Sequence, residues 1–197
     1  MNSREARSAD EPVIIVSGLP RSGTSMMMQM LAAGGLPVLT DNQRKPDTDN
    51  PRGYYEFEAV KTVRDDASWL ENAHGSVVKM VYKLLYDLPP NHSYRVIFVQ
   101  RKLEEVIGSQ GEMLRRRGKE DDDLTPDQLI ALYERELGSV QSWLQRQPNF
   151  STLYVNYRDV LIDPGSVADK LKDFLAGSLN AEAMAQIPDG ALYRNRR

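Results

Sequence analysis

The stretch Gly18–Ser25, GLPRSGTS, gathers two glycines, three hydroxyls and one arginine within eight residues. It follows directly on the apolar run Val13–Ser17, VIIVS. Gly18 and Gly23 let a backbone fold closely around a phosphate. A helix starting near Gly23 adds its dipole and first-turn N–H groups, and Thr24 and Ser25 add hydroxyl donors. Pro20, Arg21 and Ser22 complete the loop. In loops that hold a nucleoside triphosphate, G-x-x-x-x-G-K-[ST], the lysine reaches the β- and γ-phosphates. Thr24 occupies that position here, and Arg21 supplies a cation three residues earlier. No apolar run ends in a clear magnesium-binding aspartate either: VIFVQR ends in Arg101, and LYVNYRD delays Asp159 behind Tyr157 and Arg158. A magnesium-dependent P-loop kinase or NTPase, which needs both, therefore stands as an alternative that these two departures argue against.

Such a loop needs a strand before it and a helix after it. PVIIVSG is continuously apolar and β-branched, as strands covered on both faces are. SGTSMMMQMLAAGG reads as a helix ending at Gly34-Gly35, with Met26, Met27, Met28 and Met30 as packing. LPVLTD is a short candidate strand; SVVKMVY and YRVIFVQR are further strands. From Lys102 to Arg117, Leu103, Val106, Ile107, Gln110, Met113 and Leu114 recur at helical spacing. TPDQ opens another helix with Thr125 as N-cap, Pro126 at its first position and Gln128 closing a capping box. STLYVNY is a late strand, and DPGSVADKLKDFL a helix capped by Asp163. Alternating strands and helices predict a three-layer α/β/α sandwich around a mainly parallel sheet, of the P-loop type. Two stretches interrupt the alternation: the polar, turn-rich Thr40–Glu58, long enough to suggest a functional loop, and the charge reversal Arg115–Asp123, read as a solvated connection.

At 197 residues the chain fits one domain, 1–197, with residues 1–11 as a flexible N-terminal segment. A net charge of −3 argues against a nucleic-acid binder that works by global charge, so any polyanion site must be local. With no cysteine and two isolated histidines, His74 and His92, a thiolate or histidine metal site is not expected. No apolar run approaches the length of a membrane span and the N-terminus has no secretory pattern, so the expected location is cytoplasmic, without membrane partners.

GLPRSGTS resembles the 5′-phosphosulfate loop of sulfotransferases, in which P-[KR]-S-G-T-[ST] replaces the lysine-containing loop. VIFVQRKLEEVIGS is similar to the family's 3′-phosphate motif, a strand ending in arginine with a serine eight residues on; Arg101 and Ser109 meet that spacing. YRDVLIDPGSVADKLKDFL resembles a third family segment, and NPRGYYEFEAVK and LYRNRR are similar to stretches of small bacterial sulfotransferase-like proteins. The resemblance runs from about Val13 to the C-terminus.

It implies 3′-phosphoadenosine-5′-phosphosulfate as cosubstrate, a donor with phosphate at both ends and so two anion sites. It also implies a small-molecule or glycan-like acceptor bearing a hydroxyl or amine, and no metal. Arg21 and the loop hydroxyls would stabilise charge on the leaving phosphate, and Arg194 would cover the 3′-phosphate. Many sulfotransferases carry a base histidine in a lysine-threonine-histidine context. Lys79 matches the lysine, but Val81 stands where histidine is expected. Other branches use a glutamate, which makes Glu56 the first candidate base and Glu58 the second, where the long loop re-enters a helix near Phe57. Both also suit a helix first turn. Tyr54, Tyr55 and Trp69 are candidate pocket walls or core. The oligomeric state stays open, and a non-catalytic nucleotide-binding module of the same fold remains an alternative.

Overall fold

The computed structural model describes residues 11–41, 43, 47, 53–116, 118 and 124–189. Four parallel strands form one sheet in the order β2-β1-β3-β4. They are β1 (Val13–Gly18), β2 (Val77–Lys79), β3 (Tyr94–Gln100) and β4 (Phe150–Asn156). The helices are α1 (Thr24–Ala33), α2 (Leu103–Arg116), α3 (Pro126–Leu144), α4 (Tyr157–Ile162), α5 (Pro164–Leu175) and α6 (Ala181–Ala185). Three short 3-10 helices, Glu58–Thr62, Ser68–Asn72 and Tyr82–Asp87, flank β2 in sequence.

Both sheet faces are covered, which explains the unbroken apolar run in β1. Val13 and Ile15 face a core shared with α2, α3 and the 3-10 helices through Val106, Val140, Leu144, Trp69, Leu70 and Leu85. Ile14 and Val16 face the opposite core, built with Met27, Met28, Met30 and Leu31 of α1 and with Leu171 of α5 and Met184 of α6. The three-layer α/β/α arrangement is the one expected.

The strand order sets the position of a site. From β1 the chain goes to β2 on one side and then returns past β1 to β3 on the other. The carboxyl ends of β1 and β3, where Gly18 pairs with Val99, are thus a topological switch point, the crevice at which open parallel sheets bind ligands.

Local detail differs from the sequence expectation in four places. LPVLTD forms no strand and contributes one isolated parallel bridge, Val38 to Val77, at the β2 edge. SVVKMVY is strand only through Lys79, because the chain then turns into the 3-10 helix at Tyr82. STLYVNY ends at Asn156, whose side chain accepts from Arg158 N–H and caps α4, so Tyr157 opens a helix. The helix expected near Phe57 is the short 3-10 helix Glu58–Thr62. The capping box at Thr125 and the Asp163 cap are present as expected. The N-terminal segment, Arg194 and most of Arg117–Asp123 lie outside the described residues.

Candidate functional site

The loop after β1 has the backbone of an anion cradle. Gly18, Arg21 and Gly23 all have positive φ, at 148°, 73° and 105°. A Cβ on Gly18 would stand 2.6 Å from the Val99 carbonyl oxygen and 2.7 Å from Ser22 Oγ, so the first position requires glycine. A Cβ on Gly23 would stand 2.4 Å and 2.8 Å from ring carbons of Tyr157. α1 starts at Thr24 with no side-chain cap on its Gly23 N-cap and no acidic residue in its first turn. An uncapped N-terminus leaves donors for an external anion. Ser22 is buried and its hydroxyl has no hydrogen-bond partner among the described residues. A buried hydroxyl in that state carries a desolvation cost that an acceptor would relieve. The cradle therefore fits a phosphate group.

The two stretches predicted to bind anions meet in the structure. Arg21 Nε donates to Ser109 Oγ at 3.0 Å, although the two residues are 88 apart in sequence. Arg101 Nη1 donates to the Arg21 carbonyl at 3.1 Å. Ser109 is buried on α2, not a helix-surface serine. Arg101 itself is held on three sides: by the Arg21 carbonyl, by Glu105 Oε2 at 2.9 Å from its Nε, and by the Tyr157 ring, 4.5 Å from guanidinium carbon to centroid. Burial pushes the Tyr157 phenol above its ordinary value, while the neighbouring Arg101 charge acts in the opposite direction.

Lys79, at the end of β2, closes the other side of the loop. Its Nζ donates to the Tyr54 carbonyl and lies 3.4 Å from Ser25 Oγ, which in turn donates to the same carbonyl at 3.4 Å. The segment bearing the candidate bases is thereby fastened to the start of α1. Glu56 is fixed through its backbone, its carbonyl accepting from Thr40 Oγ1 at 2.9 Å and from Asp41 N–H at 3.3 Å. The Glu58 carboxylate is committed to Lys61, with both oxygens within 2.8 Å of Nζ. Asp41 organises this stretch by accepting from Gln43 N–H and Glu58 N–H, contacts that hold its carboxyl below the usual carboxylate range.

Of the sequence candidates, the geometry thus brings Gly18, Pro20, Arg21, Ser22, Gly23, Thr24, Ser25, Lys79, Arg101 and Ser109 to one end of the sheet. It does not bring Glu58 to them as a carboxylate without a partner. Trp69 is a core residue, edge-on to Phe57 at 5.7 Å, and Tyr54 is buried with its hydroxyl on Asp47. His74 is buried and its Nδ1 lies 2.6 Å from the Glu11 carbonyl, beside the start of β1 and so at the opposite end of the sheet. Sequence reasoning missed Glu105, Asp41 and the role of Tyr157 beneath Arg101. Glu105 was readable in principle, because it lies four residues after Arg101, the spacing of a helical ion pair. Among the described residues no group of three or more histidine, cysteine or acidic side chains could hold a metal ion. No helix among them is long and apolar enough to cross a membrane.

The fold is a three-layer α/β/α sandwich with a glycine-containing loop after β1, and Arg101 stands at the end of the neighbouring strand. The sequence profile of the sulfotransferase domain matches residues 11–196, and the chain belongs to that family. Among solved structures, a sulfotransferase from Mycobacterium avium is similar at 13% identity and TM-score 0.53, covering 96% of this chain and 70% of that one. A sulfotransferase from Alicyclobacillus acidocaldarius is similar at 15% identity and TM-score 0.51, covering 95% and 86%. A mouse sulfotransferase complexed with PAP is similar at 16% identity and TM-score 0.51, covering 92% and 63%. At such identities the likeness establishes the fold alone. A comparison with curated proteins found no match.

Proposed function

We propose that the protein transfers a sulfuryl group from 3′-phosphoadenosine-5′-phosphosulfate to a hydroxyl or amine on a small-molecule or glycan-like acceptor. The observation that carries this reading is the convergence of Arg21, Arg101 and Ser109 across the β1–β3 switch point. That arrangement suits a ligand with anions at two ends and offers no lysine at Thr24 for a γ-phosphate.

When bound, the donor supplies an activated sulfuryl group on a phosphate leaving group. The chain's own residues do the rest by positioning and charge. The first-turn N–H groups of α1, with Ser22, Thr24 and Ser25, hold the 5′-end. Arg101 and Ser109 hold the 3′-end; Arg194, outside the described residues, is a further candidate contact to it that rests on the sequence resemblance alone. Arg21 and Lys79 stabilise the negative charge that grows on the leaving oxygen, so positive charge is available without a metal. Glu56 is the proposed general base for the acceptor proton, supported by its attachment two residues beyond the Tyr54 carbonyl that Lys79 grips. Glu58 is the weaker candidate because of its Lys61 partner.

The test is calorimetric titration with 3′-phosphoadenosine-5′-phosphate (PAP) against AMP. A charge-assisted contact to the extra phosphate should favour PAP by about tenfold or more. Equal affinity, or no binding of either, overturns the reading. Val81, 44% exposed just beyond β2 where a base histidine is expected, favours the second reading, a binding module without turnover. In that case PAP binds but labelled donor gives no product with a panel of alcohols, phenols, sugars and amines. If turnover occurs and Glu56→Gln leaves its rate unchanged, the base assignment fails while the class stands.

A further inference from the structure

Arg21 adopts φ 73°, a left-handed backbone that a residue with a Cβ occupies at a cost and keeps only where its surroundings impose it. Three contacts impose it here. The side chain is fixed by Ser109 Oγ, and the carbonyl of Arg21 is fixed by Arg101 Nη1. The remaining contact acts on the peptide before it: Gln110 Nε2 donates to the Pro20 carbonyl at 3.0 Å. Gln110 is held in turn by α3, since Tyr133 Oη donates to Gln110 Oε1 at 3.1 Å. The two ends of a glutamine amide are unlike, so this relay has one direction. The carbonyl requires the NH₂ end, and the hydroxyl proton then requires the oxygen end.

Both peptide planes flanking Arg21 are thereby pinned through their carbonyls. In a trans peptide the N–H points opposite to the C=O. Drawing the Pro20 carbonyl toward α2 therefore turns the Arg21 N–H away from α2. Loss of Gln110 would leave the Pro20–Arg21 peptide free to rotate, and the left-handed residue would lose one of the supports that make its conformation unique.

We propose that Gln110, oriented by Tyr133, is a positioning residue that fixes the Pro20–Arg21 peptide and with it the anion-binding form of the Gly18–Ser25 loop. What that loop holds rests on the donor reading above, but the fixing of the loop does not. The reporter is the Ser22 amide, which donates to the Leu19 carbonyl at 3.1 Å inside the same turn.

Amide hydrogen exchange is measured on the ligand-free full chain, and PAP titration on the same samples. Gln110→Ala removes the donor. Gln110→Glu keeps the shape but sets a carboxylate oxygen against the Pro20 carbonyl. Each should speed Ser22 exchange by roughly three- to tenfold, the worth of one net hydrogen bond, with amides in the centre of β3 unchanged. Tyr133→Phe should give a smaller change in the same direction. PAP affinity should fall by a similar factor in both Gln110 variants. Unchanged Ser22 exchange overturns the proposal. So does exchange that rises equally in β3, which would mean general destabilisation, or wild-type PAP affinity in Gln110→Ala. If the wild-type chain itself shows no preference for PAP, the donor reading fails and Ser22 exchange alone still decides the role of Gln110.

Discussion

Replacing Gly23 by alanine probes the junction between the Gly18–Ser25 loop and the Tyr157 ring beneath Arg101. The new methyl would stand 2.4 Å and 2.8 Å from Tyr157 Cδ2 and Cε2, where carbon atoms ordinarily approach to about 3.5–4.0 Å. The ring must recede by about 1 Å, and it carries the Arg101 guanidinium on its face. Overpacking of this kind costs ~1–3 kcal/mol. Holding alanine at the φ of 105° seen for Gly23 adds ~1–2 kcal/mol. The sum, ~2–5 kcal/mol, is a large share of the 5–15 kcal/mol typical of a folded domain. For a chain of this size it lowers the melting temperature by roughly 5–20 °C. Thermal melts of Gly23→Ala, Tyr157→Leu and the double variant separate the two parts. The double variant should recover the steric part, a coupling of ~1–3 kcal/mol, and retain the dihedral part. Gly23→Ala melting within a degree or two of wild type would refute the reasoning, as would strict additivity with Tyr157→Leu.

Arg101→Lys keeps the charge but cannot reproduce the set of contacts to Glu105, the Arg21 carbonyl and the Tyr157 ring. It should weaken PAP binding by tenfold or more in titration and lower the melting temperature, and a wild-type result in both would show that the guanidinium geometry is irrelevant. Burial holds the phenols of Tyr82, Tyr94, Tyr154 and Tyr157 above their ordinary value of 10.0. The unfolded chain releases these protons near that value while the folded chain keeps them. Stability is therefore full below about pH 10 and falls as pH rises toward the folded values, by up to about 1.4 kcal/mol per pH unit for each phenol. Urea midpoints should hold steady up to about pH 10 and fall progressively above it, and a midpoint unchanged above about pH 10 would contradict the burial.

The layered fold was legible because its signals are local: a fully apolar strand, glycines at a strand-to-helix turn, and caps at Thr125 and Asp163. Strand order was not, since pairing β1 with both β2 and β3 is a long-range choice that no window of sequence carries. Arg101 and Ser109 were readable as a spacing, while their meeting with Arg21 came from that order. LPVLTD has strand composition but finds only the short edge of β2, and so makes one bridge in place of a ladder. By spacing alone Gln110 is one position of an apolar stripe. A polar residue on such a stripe was the clue to a specific partner, and the partner is a backbone carbonyl that side-chain patterns do not reveal. Glu58 was separable from Glu56 in principle, because Lys61 lies three residues after Glu58, a spacing at which side chains meet on a helical turn.

Lys79 grips position 54 by its carbonyl, an atom that every amino acid provides. That one hydrogen bond would survive a change of side chain at position 54, whereas Tyr54 also holds the segment through its hydroxyl on Asp47 and its ring, 5.9 Å from Lys79 Nζ. A graft of residues 54–58 from another member of the family would arrive with its anchoring atom already in place. The segment thus has two kinds of anchor, backbone ones on Lys79 and on the Asp41 carboxylate and a side-chain one on Asp47, and only the first kind is independent of its sequence.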